Sequence, residues 1–400
     1  MLLQTFFIIG YFASWSAYPD MAYSVDQLDP TKLSHVMYAF AVPAETGEVF
    51  LPDPEIDYGD TSDGVLKGNL GKLWKLKQQN RHLKTTLSIG GALNSVNFSS
   101  IVSLPKRANF ILTSINLMND LGMDGLDLDW EFPKDKTESK FYVTLLRELR
   151  FALDLYAKIK HEKEKYLLTV AVPADPEFYK VLFLKEMNKY VDIFNLMTYD
   201  FSGEWEQPAD HQANLYGDGL SGDQAVMDYI KAGVDPAKIT LGVPMYGRSF
   251  ENTDGAGKNY SDTGEGQWEP GMWDYKSLPK KGSKEFYDKK VVASYSYDKK
   301  TREFISYDNP RVVKEKCKYL KNKKLGGIMF WELDGDFPTS HSRSLLRTSF
   351  KALGGRKTID KSLNHLWFPT SKYTNVRGTI MFNLNLTSIP VNVNISVSIN

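Results

Sequence analysis

One cysteine, Cys317, stands among 400 residues, so neither an internal disulfide nor a thiolate metal cage is open to this chain. Charge of one sign is not in excess: 49 Lys and Arg face 49 Asp and Glu, for a formal net charge of zero. Binding to nucleic acid or to an anionic membrane surface draws on surplus positive charge, so neither partner is expected. No apolar run reaches the roughly 18 residues of a membrane-spanning helix. The run Leu2 to Ile9 looks at first like the core of a secretion signal. It has no basic start, however, and passes into Gly10-Tyr11-Phe12 without a polar segment or cleavage site. It reads as a first β-strand, and the chain as soluble.

Aromatic residues, by contrast, are plentiful: 22 Tyr, 22 Phe and 8 Trp suit both a packed core and a groove that stacks flat ligand faces. Short apolar or β-branched runs recur along the chain at 5–11, 34–40, 84–89, 125–130, 166–172, 192–197, 238–244 and 327–331. Most connecting stretches carry a 3.6-residue amphipathic period. Examples are 107–121 and 140–158, the latter with Leu145, Leu146, Leu149, Leu153 and Ala157 on one stripe. Buried strands alternating with helices imply a parallel sheet, and eight of them imply an α/β fold of the (β/α)8 TIM-barrel type. Between about Phe250 and Arg311 the rhythm fails. Gly, Tyr and Trp mix there with strand-like runs, which predicts a small α+β insertion at 251–311 between the seventh and eighth strands, walling a cleft. The barrel is then expected at 1–250 and 312–376. The stretch 377–400 is uncharged after Arg377 and alternates apolar residues with Asn, Ser and Thr; it is expected to be a tail and not a domain.

The most informative segment is Asp124-Gly-Leu-Asp127-Leu-Asp129-Trp-Glu131-Phe-Pro133. On a strand, Asp127, Asp129 and Glu131 point to one face while Leu126, Leu128 and Trp130 point to the other, toward a helix layer. Stacked carboxyls inside a barrel repel one another and lose hydration, so their pKa values must rise and protons be shared. That provides an acid at neutral pH. Glu131, nearest the C-terminal mouth, is the natural proton donor; Asp129 below it can orient a substrate group, and Asp127 can hold or trade the proton. A solvated acidic loop explains the charges equally well but not the interleaved Leu, Leu and Trp. A Mg²⁺ or Ca²⁺ site is a weaker reading, because no His or Asn joins the carboxylates.

At this strand the sequence resembles glycoside hydrolase family 18, the chitinases, whose Asp-x-x-Asp-x-Asp-x-Glu signature Asp124, Asp127, Asp129 and Glu131 fill. Further matching stretches follow in chain order: Gly10-Tyr11-Phe12, Tyr38-Ala39-Phe40, Ser88-Ile89-Gly90-Gly91, Met197-Thr198-Tyr199-Asp200, Met245-Tyr246-Gly247-Arg248 and Met329-Phe330-Trp331-Glu332. The similarity spans about residues 5–376 and is nearest to fungal members that carry the insertion. It implies retaining hydrolysis of β-1,4-linked N-acetylglucosamine polymers by substrate assistance. In that scheme Glu131 protonates the glycosidic oxygen, and the substrate's acetamido oxygen attacks the anomeric carbon. Asp129 orients the acetamide and offsets the charge of the oxazolinium intermediate. The resemblance further gives Tyr199 a hydroxyl bond to the acetamide, Asp200 and Arg248 a hold on the distorted sugar, and Trp331 the floor beneath it. Tyr11, Phe40, Gly90, Trp130, Met197 and Tyr246 join these as substrate-binding candidates, although Gly90 and Gly91 read first as glycines serving backbone turns and not contact. Trp15, Trp205, Trp268 and Trp273 are candidate stacking platforms. Two departures stand out: Ala92 where relatives usually carry an aromatic, and Glu204 where a smaller residue is usual.

The resemblance thus points to an endo-acting or processive chitinase acting on chitin or chitooligosaccharide. The alternatives are a non-catalytic chitin-binding lectin or an endo-β-N-acetylglucosaminidase on N-glycans. No metal or organic cofactor is implied, because the nucleophile comes with the substrate. A monomer is expected, and an extracellular location, compatible with Asn-x-Ser/Thr sequons at Asn97, Asn259, Asn385 and Asn394.

Overall fold

The computed structural model describes residues 4–377. The expected C-terminal tail, apart from Arg377 at its start, lies outside them. Eight parallel strands form the centre: β1 (Phe7–Ala13), β2 (His35–Pro43), β3 (Lys84–Gly90), β4 (Gly125–Asp129), β5 (Leu167–Pro173), β6 (Ile193–Met197), β7 (Ile239–Pro244) and β8 (Gly327–Trp331). Each overlaps one of the eight expected runs. Neighbours pair in chain order from β2 to β8, and β1 pairs with both β8 and β2, so the sheet closes into a (β/α)8 barrel without a free edge. Helices cover its outside. The longest, Lys136–Ile159, starts where the Asp135 carboxylate accepts from the backbone N–H groups of Thr137 and Glu138, and buries Leu145, Leu146, Leu149 and Leu153. Helices at Leu104–Leu121 and Pro310–Asn322 do the same for their neighbours. After β5 the chain makes only two single-turn helices, Pro176–Tyr179 and Leu184–Met187, which leaves room above the strand ends.

Two apolar layers result. The larger lies between strands and helices; a smaller one, with Ile9, Tyr11, Met37, Ala39, Ile193 and Met329, fills the barrel interior. The interior layer continues to the C-terminal mouth through Phe40, Tyr199 and Tyr246, with Trp15, Met197 and Trp331 packed against it.

A second, antiparallel sheet stands between β7 and β8 in the chain. It orders the strands Met272–Asp274, Tyr246–Phe250, Glu303–Ser306, Ala293–Asp298 and Lys284–Asp288. Its second strand begins at Tyr246, ahead of the expected boundary at 251, because only Met245 separates it from β7. The inserted unit therefore grows directly out of a barrel strand, carrying Tyr246 and Arg248 with it; it was expected to be α+β, but its regular structure is this sheet and one 3-10 turn at Tyr275–Ser277, without an α-helix.

Candidate active site

The register of three strands builds the base of the site. Asp127 on β4 lies beside Ser88 on β3 and Thr169 on β5. Its Oδ2 accepts from Ser88 Oγ at 2.7 Å and from the Tyr11 hydroxyl at 2.8 Å, and its Oδ1 from Thr169 Oγ1 at 2.5 Å. Asn195 Nδ2 donates to Tyr11 at 3.2 Å and reaches Asp127 at 3.5 Å. Burial raises the pKa of Asp127, and these four donors oppose the rise. Ser88, Thr169 and Asn195 were not singled out in the sequence. The signal was present for two of them: Thr169 and Asn195 are each the lone polar residue of an otherwise apolar strand, whereas Ser88 shares β3 with Lys84, Thr85 and Thr86.

Asp129 sits one step higher and has none of this support. Its side chain is buried and Oδ1 has no hydrogen-bond partner. Burial first, then the charges of Glu131 and Asp127, push its pKa well above the carboxylate range, so it holds a proton. An unpartnered buried carboxyl costs stability unless a ligand completes it. The backbone around it is fixed by Ser95, whose hydroxyl donates to the Asp129 carbonyl at 3.1 Å and accepts from the Glu131 N–H at 2.8 Å. Glu131, at the mouth, is raised from 4.5 to about 7 by burial and by the neighbouring charge of Asp200. It is therefore a carboxylic acid through the mildly acidic range.

Across the mouth, Asp200 adopts left-handed backbone (φ +59°), which aspartate tolerates better than most residues. Its Oδ1 accepts from the Tyr246 hydroxyl at 2.7 Å and from Arg248 Nε at 2.6 Å. The Arg248 guanidinium lies 4.7 Å from the Trp205 ring centre. This Asp200–Arg248 pair ties the end of β6 to the second sheet. Tyr199 is buried with its ring edge toward Tyr246. On the floor, Trp331 stacks with Phe40 at 5.6 Å and meets Tyr11 at 5.5 Å and Trp15 at 6.3 Å.

These groups share one cleft of about 810 Å³. It brings together Tyr11, Phe40, Asp129, Glu131, Met197, Tyr199, Asp200, Tyr246, Arg248 and Trp331, as well as all four candidate platforms Trp15, Trp205, Trp268 and Trp273. Three expected site residues fall elsewhere. Trp130 is corrected outright: its side chain follows the outward parity of β4 and stacks on Phe98 at 5.3 Å, beside Phe141 and Tyr142 in the helix layer. Gly90 offers no surface to the cleft. Its φ of +117° and the 2.2 Å that would separate an added Cβ from the Asp129 carbonyl show a backbone role. Asp127 is not among the residues lining the cleft, and it meets a cleft residue through the hydroxyl of Tyr11. Asp124, first of the four signature acids, faces away from the cleft; Lys77 Nζ at 2.8 Å and the N–H groups of Thr85 and His365, both at 2.7 Å, converge on its carboxylate. Among cleft residues that the sequence reading gave no role, Phe132 follows Glu131 and packs on Phe178 at 4.8 Å, and Glu332 follows Trp331.

The arrangement supplies one half-buried acid at the mouth, one buried unpartnered carboxyl, and flat rings on several walls. It suits acid catalysis on a polar chain with planar faces. Residues 7–336 match the model of glycosyl hydrolases family 18. The chain is 42% identical over 384 residues to "Endochitinase 1" of Metarhizium robertsii, covering 92% of this chain and 89% of that one. Among solved structures, the catalytic domain of psychrophilic chitinase B from Arthrobacter TAD20 superposes with a TM-score of 0.81 at 27% identity, covering 90% of this chain and 98% of that one. A mutant class V chitinase from Nicotiana tobaccum, solved in complex with NAG4, gives 0.76 at 27% identity, covering 88% and 99%.

Proposed function

This chain belongs to glycosyl hydrolase family 18, and on that premise we propose that it is a chitinase cleaving β-1,4-N-acetylglucosamine linkages with retention, by substrate assistance. The observation that carries the reading is the unequal pair at the end of β4. Glu131 has its proton held up to about pH 7 at the cleft mouth, and Asp129 is buried with an oxygen that nothing in the protein satisfies. An acid in that position protonates the leaving glycosidic oxygen. The substrate's own acetamido oxygen then attacks the anomeric carbon, forming the C–O bond of an oxazolinium ion as the glycosidic bond breaks. Asp129 accepts from the acetamide N–H, loses its proton toward Asp127 as positive charge develops, and stabilises the ion. Tyr199 donates to the same acetamide. Water, deprotonated by Glu131, opens the ring on the original face, which restores the β-anomer.

Trp331 with Phe40 supplies the hydrophobic floor for the sugar, while Asp200, Tyr246 and Arg248 hold its hydroxyls. Chitin or a chitooligosaccharide is then the substrate, no cofactor is called on, and an extracellular polymer substrate supports an extracellular site of action for a monomer.

Hydrolysis of a soluble N-acetylchitooligosaccharide by the wild-type protein and by Glu131→Gln, with products and anomers resolved, tests this. We expect β-anomeric products and a loss of about a hundredfold or more in the variant. Binding without cleavage by either protein overturns the reading in favour of a lectin.

A further inference from the structure

Glu131 stands outside the ladder that fixes the other two carboxyls of β4. The pairing of β3 with β4 ends at Gly90 and Asp129, so Asp129 is held by its strand while Glu131 lies two residues further on. Among the described residues, the Ser95 hydroxyl is the only hydrogen-bond partner of the Glu131 N–H, at 2.8 Å.

Ser95 opens the short helical segment Ser95–Val102 that follows β3. The chain reaches it through Gly90 and Gly91, whose φ values of +117° and +84° turn it back over the end of β4. This loop then grips the acidic segment at three points. The Gly91 N–H donates to the Asp129 carbonyl at 2.9 Å. Ser95 Oγ lies 3.1 Å from that same carbonyl and 3.0 Å from the Gly91 carbonyl, so its single proton has an acceptor in either direction and its lone pairs are left for the Glu131 N–H. Three residues on, the fully buried Phe98 stacks on Trp130 at 5.3 Å. The Trp130–Glu131 peptide is therefore held at its N–H by Ser95 and through the Trp130 ring by Phe98.

Ser95 is 4% exposed and is not among the residues lining the cleft, although Ala92, Leu93 and Asn94 beside it are. It acts on a bound sugar only through Glu131. A general acid works within hydrogen-bond reach of the oxygen it protonates, and a displacement of about 1 Å costs up to about a hundredfold in rate. Without the hydroxyl the Glu131 N–H loses its partner, and nothing in the strand ladder replaces it.

We propose that Ser95 is a positioning residue for the acid: its hydroxyl extends the register of β3 and β4 past the strand end and sets where Glu131 delivers its proton. The proposal rests on the chitinase reading. Ser95 transfers no proton to the substrate, so its loss is felt where the leaving group needs one.

The test compares wild type with Ser95→Ala, Ser95→Cys and Ser95→Thr on N-acetylchitotetraose and on the nitrophenyl β-glycoside of diacetylchitobiose. A departing sugar needs the Glu131 proton, whereas nitrophenolate leaves with little help. For Ser95→Ala, kcat on the tetraose is expected to fall about ten- to a hundredfold with KM within about twofold, because the residue lies off the cleft. On the nitrophenyl glycoside kcat/KM is expected to stay within about threefold. Ser95→Cys keeps the volume but is a weak donor and acceptor, so it is expected to follow alanine and serves if the alanine variant does not fold. Ser95→Thr keeps the hydroxyl and is expected to recover most of the loss. Equal losses on the two substrates, a cysteine variant as active as wild type, or a tetraose kcat within about twofold of wild type in folded Ser95→Ala each overturn the role of Ser95 and leave the chitinase reading intact. Failure of wild type to cut the tetraose overturns both.

Discussion

At the scale of single residues, the site separates two carboxyls that the sequence presents as equals. Asp127 and Asp129 have the same parity on the same strand, yet Asp127 has four donors and Asp129 none for Oδ1. Their parity was legible in the sequence; the difference was not, because it depends on Tyr11, Ser88, Thr169 and Asn195 arriving from four other strands. Glu131 carries a cost of its own. The folded chain keeps its proton up to about pH 7, whereas the unfolded chain releases it near the ordinary value of 4.5. Below 4.5 both states hold the proton and it contributes nothing. As pH rises through 4.5–7 the unfolded state alone ionises, so stability falls, and above 7 the full penalty is present. Glu131→Gln removes the group that titrates. The variant is expected to melt close to wild type at pH 4 and above it at pH 8, by calorimetry; a difference that is flat or narrows with pH contradicts this.

At the scale of elements, the four signature acids divide between chemistry and architecture. Asp124 precedes β4 and is 1% exposed, and its two oxygens take three donors, among them the fully buried ammonium of Lys77. An amide at this position keeps one acceptor oxygen and presents N–H groups to donors on the other side. Asp124→Asn is therefore expected to lower unfolding stability by about 3–5 kcal/mol, as when one partner of a buried pair is removed. Chemical denaturation measures it, and a midpoint near that of wild type contradicts it. Periodicity located the eight strands and the two longest amphipathic stretches because near-continuous apolar runs and a 3.6-residue stripe are local properties. It misplaced the start of the inserted sheet, since Tyr246–Phe250 reads as barrel until its partners Met272–Asp274 and Glu303–Ser306 are known. Trp130 was drawn into the expected site by its neighbours in sequence, against its own outward parity.

At the scale of the whole molecule, the barrel is closed from outside by the segment that follows its last helix. Asn364 Nδ2 donates to the carbonyls of Lys77 and Leu83, His365 N–H completes Asp124, and Phe368 is fully buried against Trp74. Asn375 then accepts from the Leu66 N–H and takes the Trp74 indole N–H on its carbonyl. Truncation after Asp360 strips partners from Lys77, Asp124 and Trp74 at once. It is expected to yield insoluble or unfolded protein, judged by loss of a cooperative melting transition. The sequence assigned the segment to the barrel as far as 376 but not the partners it closes on, because its contacts lie some 240 to 310 residues away along the chain. The floor of the cleft has an optical consequence as well. Trp331 has Trp15, Tyr11 and Phe40 within 6.3 Å, so a sugar face laid on it displaces water from an indole that exchanges excitation with its neighbours. The protein thus carries a built-in emission probe at the floor of the cleft, and occupancy of that floor can be followed in ultraviolet light without a label on protein or ligand.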